Sequence, residues 1–242
     1  MKQDWRVWQD PEVALRFAER RRGGLLGADA QIDTMLRLVN CVQTPDLEAL
    51  DIGCGDGVLI EALAGTGRLV HGVALDGSAA MLVKARERLT SIPIEYIEAD
   101  FNTPAWLDTL PHRRFDVVVS GFAIHHTEDP RKQKLYAEIF ALLAPGGLFV
   151  NIEHVVSASP LGEELFDSAY AESLARYRVT QGENVTPDEV LAELHARPDR
   201  AANRLTTVET QVGWLRAIGF EDVDCYWKQF ELAVLAGFRR RA

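Results

Sequence analysis

Cysteine is scarce in this 242-residue chain: Cys41, Cys54 and Cys225 stand singly and far apart. They form neither a disulfide framework nor a CxxC metal pattern, and so few thiols fit a reducing compartment. Basic residues are also in deficit, with 26 Lys and Arg against 36 Asp and Glu and a formal net charge of −10. An acidic surface repels polyphosphate, so nucleic acid is not expected as a partner. Long apolar runs are absent too, and none approaches the roughly 20 residues that cross a bilayer. The opening MKQDWRVWQDPEV places charges and tryptophans where a secretory leader needs an apolar core. A soluble, cytoplasmic protein with no membrane partner is expected. What remains, 47% hydrophobic and 26% charged residues, is globular composition at a length that suits one α/β domain with additions.

Hydrophobic periodicity divides the chain into four parts. Pro11 opens a helical stretch, PEVALRFAERRR, which Gly23 and Gly24 stop, and a second helical pattern runs from about Ala28 to Cys41. Short apolar runs then alternate with helical segments: LEALDI, VLIEALAG, LVHGVAL, SAAMLVKARERL, IEYIEA, FDVVVS, KQKLYAEIFALL and LFVNIEHVV. That alternation is the sequence form of right-handed βαβ units and a parallel sheet. From about Ser157 to Arg204 the strand pattern gives way to helical segments. An apolar helix closing at Gly219 and two strand-like pieces, FEDVDCYW and FELAVLAGF, finish the chain. We expect a single domain over residues 1–242, with N-terminal helices (1–45) over the active site and a helical cap insertion at 157–204.

The strongest local signal is ALDIGCGDG, Ala49 to Gly57, between an apolar strand and a helix. Glycines at 53, 55 and 57 let the backbone turn sharply and approach a ligand closely. A dinucleotide fingerprint would want a small residue at 58, where Val58 stands. Asp51 and Asp56, with no Lys or Arg in the loop, make a poor cradle for pyrophosphate. They suit a ligand with a cationic amine and a sulfonium. Asp76 closes the next strand, placed for ribose hydroxyls, and Asp100 the third, placed to accept from an adenine amino group, with Phe101 beside it. Ser120 closes the fourth strand, and Glu153 and His154 the fifth. Polar residues thus end five successive strands, on the side where open α/β sheets bind ligands.

In order, ALDIGCGDG, DGSAAML, EADF, FDVVVSGFAIHH and LLAPGGLFV resemble the successive motifs of class I S-adenosylmethionine (SAM)-dependent methyltransferases, over roughly Leu47 to His154. The resemblance implies a Rossmann-like, seven-stranded, mostly parallel sheet with an antiparallel last strand and helices on both faces. SAM is the implied cofactor. Asp51, Gly53 and Gly55 would contact its methionine part and Asp76, with Gly77, its ribose. Met81, Asp100 and Phe101 would lie near the adenine, and Ser120 at the fourth strand end. Arg21 on the first helix is a further candidate, for the SAM carboxylate. Pro145, Gly146 and Gly147 resemble the family's turn into the fifth strand.

Methyl transfer is an in-line displacement that mainly requires alignment and exclusion of water. A base is needed only for a hydroxyl or a protonated amine. Candidates are His125 and His126, ahead of Glu153 and His154. Adjacent histidines in a loop do not share one face as HExxH does, so no metal is expected. Acceptor choice is expected to lie in the N-terminal helices and the cap, with Trp5, Trp8, Phe166, Tyr170 and Tyr177 as lining candidates. The expected function is methyl transfer to a small-molecule acceptor. The alternatives are a tRNA nucleoside-modifying enzyme or a catalytically silent SAM-binding regulator. Oligomeric state is open, a homodimer being one option.

Overall fold

A computed structural model of the chain describes residues 24–90, 93–111 and 114–240, together with Val7, Asp10, Glu12 and Val13. The expected first helix, with Arg21, lies almost wholly outside the described residues, as do Trp5 and Trp8. From α1 (Ala28–Val39) the chain runs through β1 (Leu47–Ile52), α2 (Val58–Ala64), β2 (Leu69–Asp76), α3 (Ala79–Arg88) and β3 (Ile94–Glu98). It continues with β4 (Phe115–Gly121), α4 (Asp129–Leu142) and β5 (Leu143–His154). Two helices follow, α5 (Pro160–Thr180) and α6 (Pro187–His195), then α7 (Val208–Ile218), β6 (Glu221–Gln229) and β7 (Leu232–Phe238).

The strands form one seven-stranded sheet in the order β3-β2-β1-β4-β5-β7-β6. β1 pairs parallel with β2 and β4, β2 with β3, and β4 with β5, whereas β7 runs antiparallel to both β5 and β6. The mostly parallel sheet with its antiparallel last strand is therefore present. β5 starts earlier than the apolar run that announced it. Leu143 already pairs with Phe115, and the Pro145–Gly147 turn is absorbed as a register shift before Leu148 meets Val117.

Strand side chains alternate between two cores, as period-2 geometry requires. Val118 and Phe149 point into a core with Tyr136 and Ile139 of α4 and Leu215 of α7. Their neighbours Val117, Val119, Leu148 and Val150 point the other way, against Met35 and Val39 of α1 and Leu59 and Leu63 of α2. The helices thus cover both faces. The chain leaves β1 toward β2 and β4 toward β5, in opposite directions along the sheet. Such a switch opens a crevice at the strands' carboxyl ends, between β1 and β4. Among the described residues no helix is long and apolar enough to cross a membrane.

α5 and α6 pack on each other through Ala171, Leu174, Val190 and Leu194, and Phe166 of α5 packs on Leu26 and Leu232. The segment beyond them is tied to α4 by Lys132, which is fully buried. Its ammonium donates to Asp129 Oδ1 (2.9 Å), to Thr206 Oγ1 (2.6 Å) and to the Arg204 carbonyl. A buried ammonium is tolerated only with such partners. Arg204 in turn donates its backbone N–H to the His125 carbonyl at 2.7 Å, so this segment lies across the turn that carries the histidines. Lys132→Met is expected to lower stability by about 1–3 kcal/mol in urea unfolding. Unchanged stability would show that these bonds do not hold the 204–206 segment in place.

Candidate active site

The loop after β1 is shaped by three left-handed glycines, Gly53 at φ 68°, Gly55 at φ 55° and Gly57 at φ 84°. A Cβ on Gly53 would lie 2.3 Å from the Cβ of Ala123, so the β1 loop rests directly against the β4 loop. A Cβ on Gly55 would meet only the Met81 methyl, at 3.6 Å, inside a pocket that both residues line. The amides of Gly53 and Cys54 donate to the Leu75 carbonyl at 2.8 and 3.0 Å, pinning the loop to the end of β2. There Asp76 accepts from the Gly55 amide (2.9 Å) and the Ser78 amide (2.8 Å). Burial pushes the Asp76 carboxyl above its ordinary range, and the amides of Gly55, Ser78 and Gly77 pull it part of the way back.

Gly53, Gly55, Asp76, Gly77, Met81, Asp100 and Phe101 line this one pocket, which the structure assembles from the ends of β1, β2 and β3. Asp51 is buried on the far side of Gly53, in a small neighbouring hollow with Gln31, Ile32 and Tyr170. Ser120 is placed differently from the sequence expectation: its buried hydroxyl donates to the Ile52 carbonyl at 2.7 Å, clamping β4 to β1. Its neighbour Gly121 lines the pocket instead. Asp56 pairs with Arg88 at 2.8 Å, so the pocket's acidity rests on Asp76 and Asp100.

The donor set fits SAM. The pocket has two carboxylates at strand ends, apolar walls from Met81 and Phe101, and an open edge at Gly55 that any side chain would fill. It also holds the hydroxyl of Ser78, buried and without a partner among the described residues. A ligand rich in hydroxyl and amino groups satisfies that hydroxyl, and among the described residues the pocket has no cluster of cations for a phosphate.

A larger cavity of about 590 Å³ adjoins it, walled by Phe166 and Tyr170 of α5, Leu205, Leu232 and the imidazoles of His125, His126 and His154. Phe122 and His126 line both spaces. Phe122 holds φ 53°, a left-handed conformation uncommon for a bulky residue. His125 Nδ1 sits 2.7 Å from Oε1 of Glu153, which is itself buried behind the cavity wall. The same Oε1 accepts the His154 amide at 2.8 Å, and Oε2 accepts Asn151 Nδ2 at 3.1 Å. His154 Nε2 pairs with Glu231 Oε2 at 2.8 Å. Burial holds the His125 imidazole well below the usual histidine range, reinforced by His154, Lys132 and Arg197. Burial does the same to His126, with His125 adding to it. It pushes the Glu153 carboxyl up, opposed by the His154 amide and Asn151. His125 is therefore a neutral ring oriented by a carboxyl group, the arrangement of a proton acceptor. Among the described residues no group of three or more His, Cys, Asp and Glu side chains is disposed to hold a metal ion.

Sequence reasoning named His125, His126, His154, Phe166 and Tyr170. It passed over Ser78, Asn151, Tyr136, Arg197 and Glu231. One signal was available for Asn151. In LFVNIEH it stands two residues before Glu153, on the same side of an otherwise apolar strand, where polar groups need partners.

A doubly wound sheet with a reversed last strand, a glycine turn after β1 and acidic residues beyond β2 and β3 defines the Rossmann-like class that binds adenosyl ligands. Residues 49–147 match the family model of a methyltransferase domain. An uncharacterised methyltransferase of Mycobacterium tuberculosis is 37% identical over 128 residues, 52% of this chain and 57% of that protein. A ubiquinone biosynthesis O-methyltransferase of Paramagnetospirillum magneticum is 33% identical over 60% of this chain and 57% of its own length. The chain thus spans little more than half of those curated relatives. A solved complex of DhpI with SAH superposes with a TM-score of 0.58 at 17% identity, covering 96% of this chain and 95% of that one. Residues 49–147 are thus similar to a methyltransferase domain, and the fold around them is that of SAM-dependent methyltransferases. Calorimetric titration with SAM is expected to show binding that Asp76→Ala weakens tenfold or more, about 1.4 kcal/mol. Equal affinity in the two proteins would remove Asp76 from the cofactor site.

Proposed function

We propose that this chain methylates a small-molecule acceptor, with SAM held in the glycine-loop pocket and the acceptor in the adjoining cavity. The observation that carries the reading is the shared wall: Phe122 and His126 face both spaces, so donor and acceptor would meet across one residue's width. In-line displacement needs that adjacency above all. The likeness to an O-methyltransferase and the fold shared with a protein solved with SAH support it.

When bound, SAM supplies the activated methyl group, and the chain's own residues do the rest. Asp76, Asp100 and Ser78 would hold the polar groups of its adenosyl part, and Met81 and Phe101 its apolar faces. Phe166, Tyr170, Leu205 and Leu232 exclude water from the acceptor. His125, with Nδ1 on Glu153, offers Nε2 to take the proton that a hydroxyl acceptor loses as its oxygen attacks. The aromatic walls and the enclosure by α5 and the 197–205 segment favour a compact, partly apolar acceptor over a polymer. Residues 157–204 then serve as the acceptor-selecting cap, with Leu25 adding to the wall from the N-terminal part.

Supplying methyl-labelled SAM to separate low-molecular-mass, RNA and protein fractions of a cell extract tests the assignment. Label is expected in the small molecules, and label confined to RNA or to protein would overturn it. With the acceptor so found, His125→Ala is expected to reduce turnover by roughly 10²–10⁴-fold while SAM binding persists. Because burial depresses the histidine, the acid limb of the wild-type rate profile is expected below the ordinary histidine pKa of about 6.5. A limb above that value would mean that another group carries the proton.

A further inference from the structure

Glu153 is the end of a buried polar line that crosses the core from α7. Gln211 Nε2 donates to the Thr206 carbonyl at 3.2 Å, which turns Gln211 Oε1 toward Tyr136. Tyr136 donates its hydroxyl to that oxygen at 2.5 Å, and the phenol oxygen accepts Asn151 Nδ2 at 3.2 Å. The other Nδ2 hydrogen goes to Glu153 Oε2 at 3.1 Å. The direction of every bond is forced, because a backbone carbonyl and an amide oxygen only accept. Three donations therefore run toward the line's fixed end at Thr206, and the last, from Asn151, runs the other way to the carboxyl group.

Three features set this line apart from ordinary core polarity. Tyr136, Asn151, Glu153 and Gln211 are all essentially inaccessible to solvent. They come from three different elements, α4, β5 and α7. Asn151 Oδ1 is buried and has no partner among the described residues. The amide thus leaves its own acceptor unsatisfied in order to present both donors, one to Tyr136 and one to Glu153. A donor on Oε2 disfavours a proton there. On Oε1 the His154 amide already donates at 2.8 Å, leaving that oxygen's remaining lone pair for His125 Nδ1 at 2.7 Å. Hydrogen bonds to the ionised form of a carboxyl group favour that form.

We infer that Asn151 and Tyr136 are positioning residues: they hold Glu153 as a carboxylate whose Oε1 fixes the proton of His125 on Nδ1, leaving the Nε2 lone pair for the acceptor. This inference rests on the role proposed for His125. The competing arrangement, a protonated Glu153 donating to a bare Nδ1, places the ring proton on Nε2 and leaves His125 unable to act as a base.

Long-range proton–nitrogen spectra of the nitrogen-labelled protein separate the two ring tautomers without any acceptor. Wild-type protein at neutral pH is expected to show His125 protonated on Nδ1 alone. Asn151→Leu, which removes both donors at similar volume, and Tyr136→Phe, which removes only the hydroxyl, are each expected to lose that single-tautomer signature. Thermal melting identifies which variants remain folded, and Tyr136→Phe serves if Asn151→Leu does not fold. An Nε2-protonated ring in the wild type would overturn the inference. So would a folded variant whose His125 signals match the wild type. Failure to find any methyl acceptor would sink the proposed function and leave the tautomer result standing, so the two failures are told apart.

Discussion

The contact between Gly53 and Ala123 is the constraint on which the site depends. With 2.3 Å between the Ala123 methyl and the place where a Cβ would stand on residue 53, the loops after β1 and β4 touch through backbone and one methyl group. Parallel strands about 4.8 Å apart set the spacing of the two loops, and only a glycine with positive φ lets the first one turn within it. That closeness brings Phe122 and His126 to the rim of a pocket built by β1, β2 and β3. A bulkier residue at 53 would push the loops apart and separate the glycine-loop pocket from the larger cavity.

Electrostatics in the larger cavity are governed by desolvation. Three imidazoles lie close together, with His125 and His126 ring centroids 4.0 Å apart and His154 5.6 Å from His125. Protonating all three in a buried space would set like charges side by side, and burial alone already disfavours the first charge. The two carboxylates divide the histidines between them, Glu153 holding His125 and Glu231 holding His154. The pairs differ in setting: His154 keeps a fifth of its side chain exposed, whereas His125 and Glu153 are closed off. Closure is what makes a neutral, oriented ring the stable form at His125.

The legibility of the sequence followed the physical origin of each feature. The strand LEALDI was found at its true limits because a buried parallel strand needs a continuous apolar run, and the glycines after it mark a turn that few other residues can make. Asp76 and Asp100 were legible because strand ends in open α/β sheets lie at the ligand crevice. Ser120 sat in the same kind of position, and the structure spends its hydroxyl on the Ile52 carbonyl. Position along a strand does not say whether a side chain turns outward or bonds across the sheet. Glu231 and Arg197 were invisible for another reason. They reach the cavity from the β6–β7 turn and the end of the cap, far along the chain from the histidines, and no local period relates them.

The backbone at Phe122 bears the strain of joining the two spaces. A left-handed conformation at a bulky residue costs on the order of 1–3 kcal/mol, and it persists only where surrounding bonds over-determine it. Here the Phe122 amide donates to the Ile152 carbonyl at 2.8 Å, extending the β4–β5 ladder by one bond beyond the strand. Ile152 is the residue between Asn151 and Glu153, so the same stretch of β5 that orders the buried polar line also anchors the residue standing between the two cavities. A shift of β5 along its neighbours would therefore misplace the carboxyl group beside His125 and the Phe122 partition together. Register in the parallel sheet, set by which apolar side chains face which core, is thus the quantity that couples the cofactor pocket to the chemistry beside it.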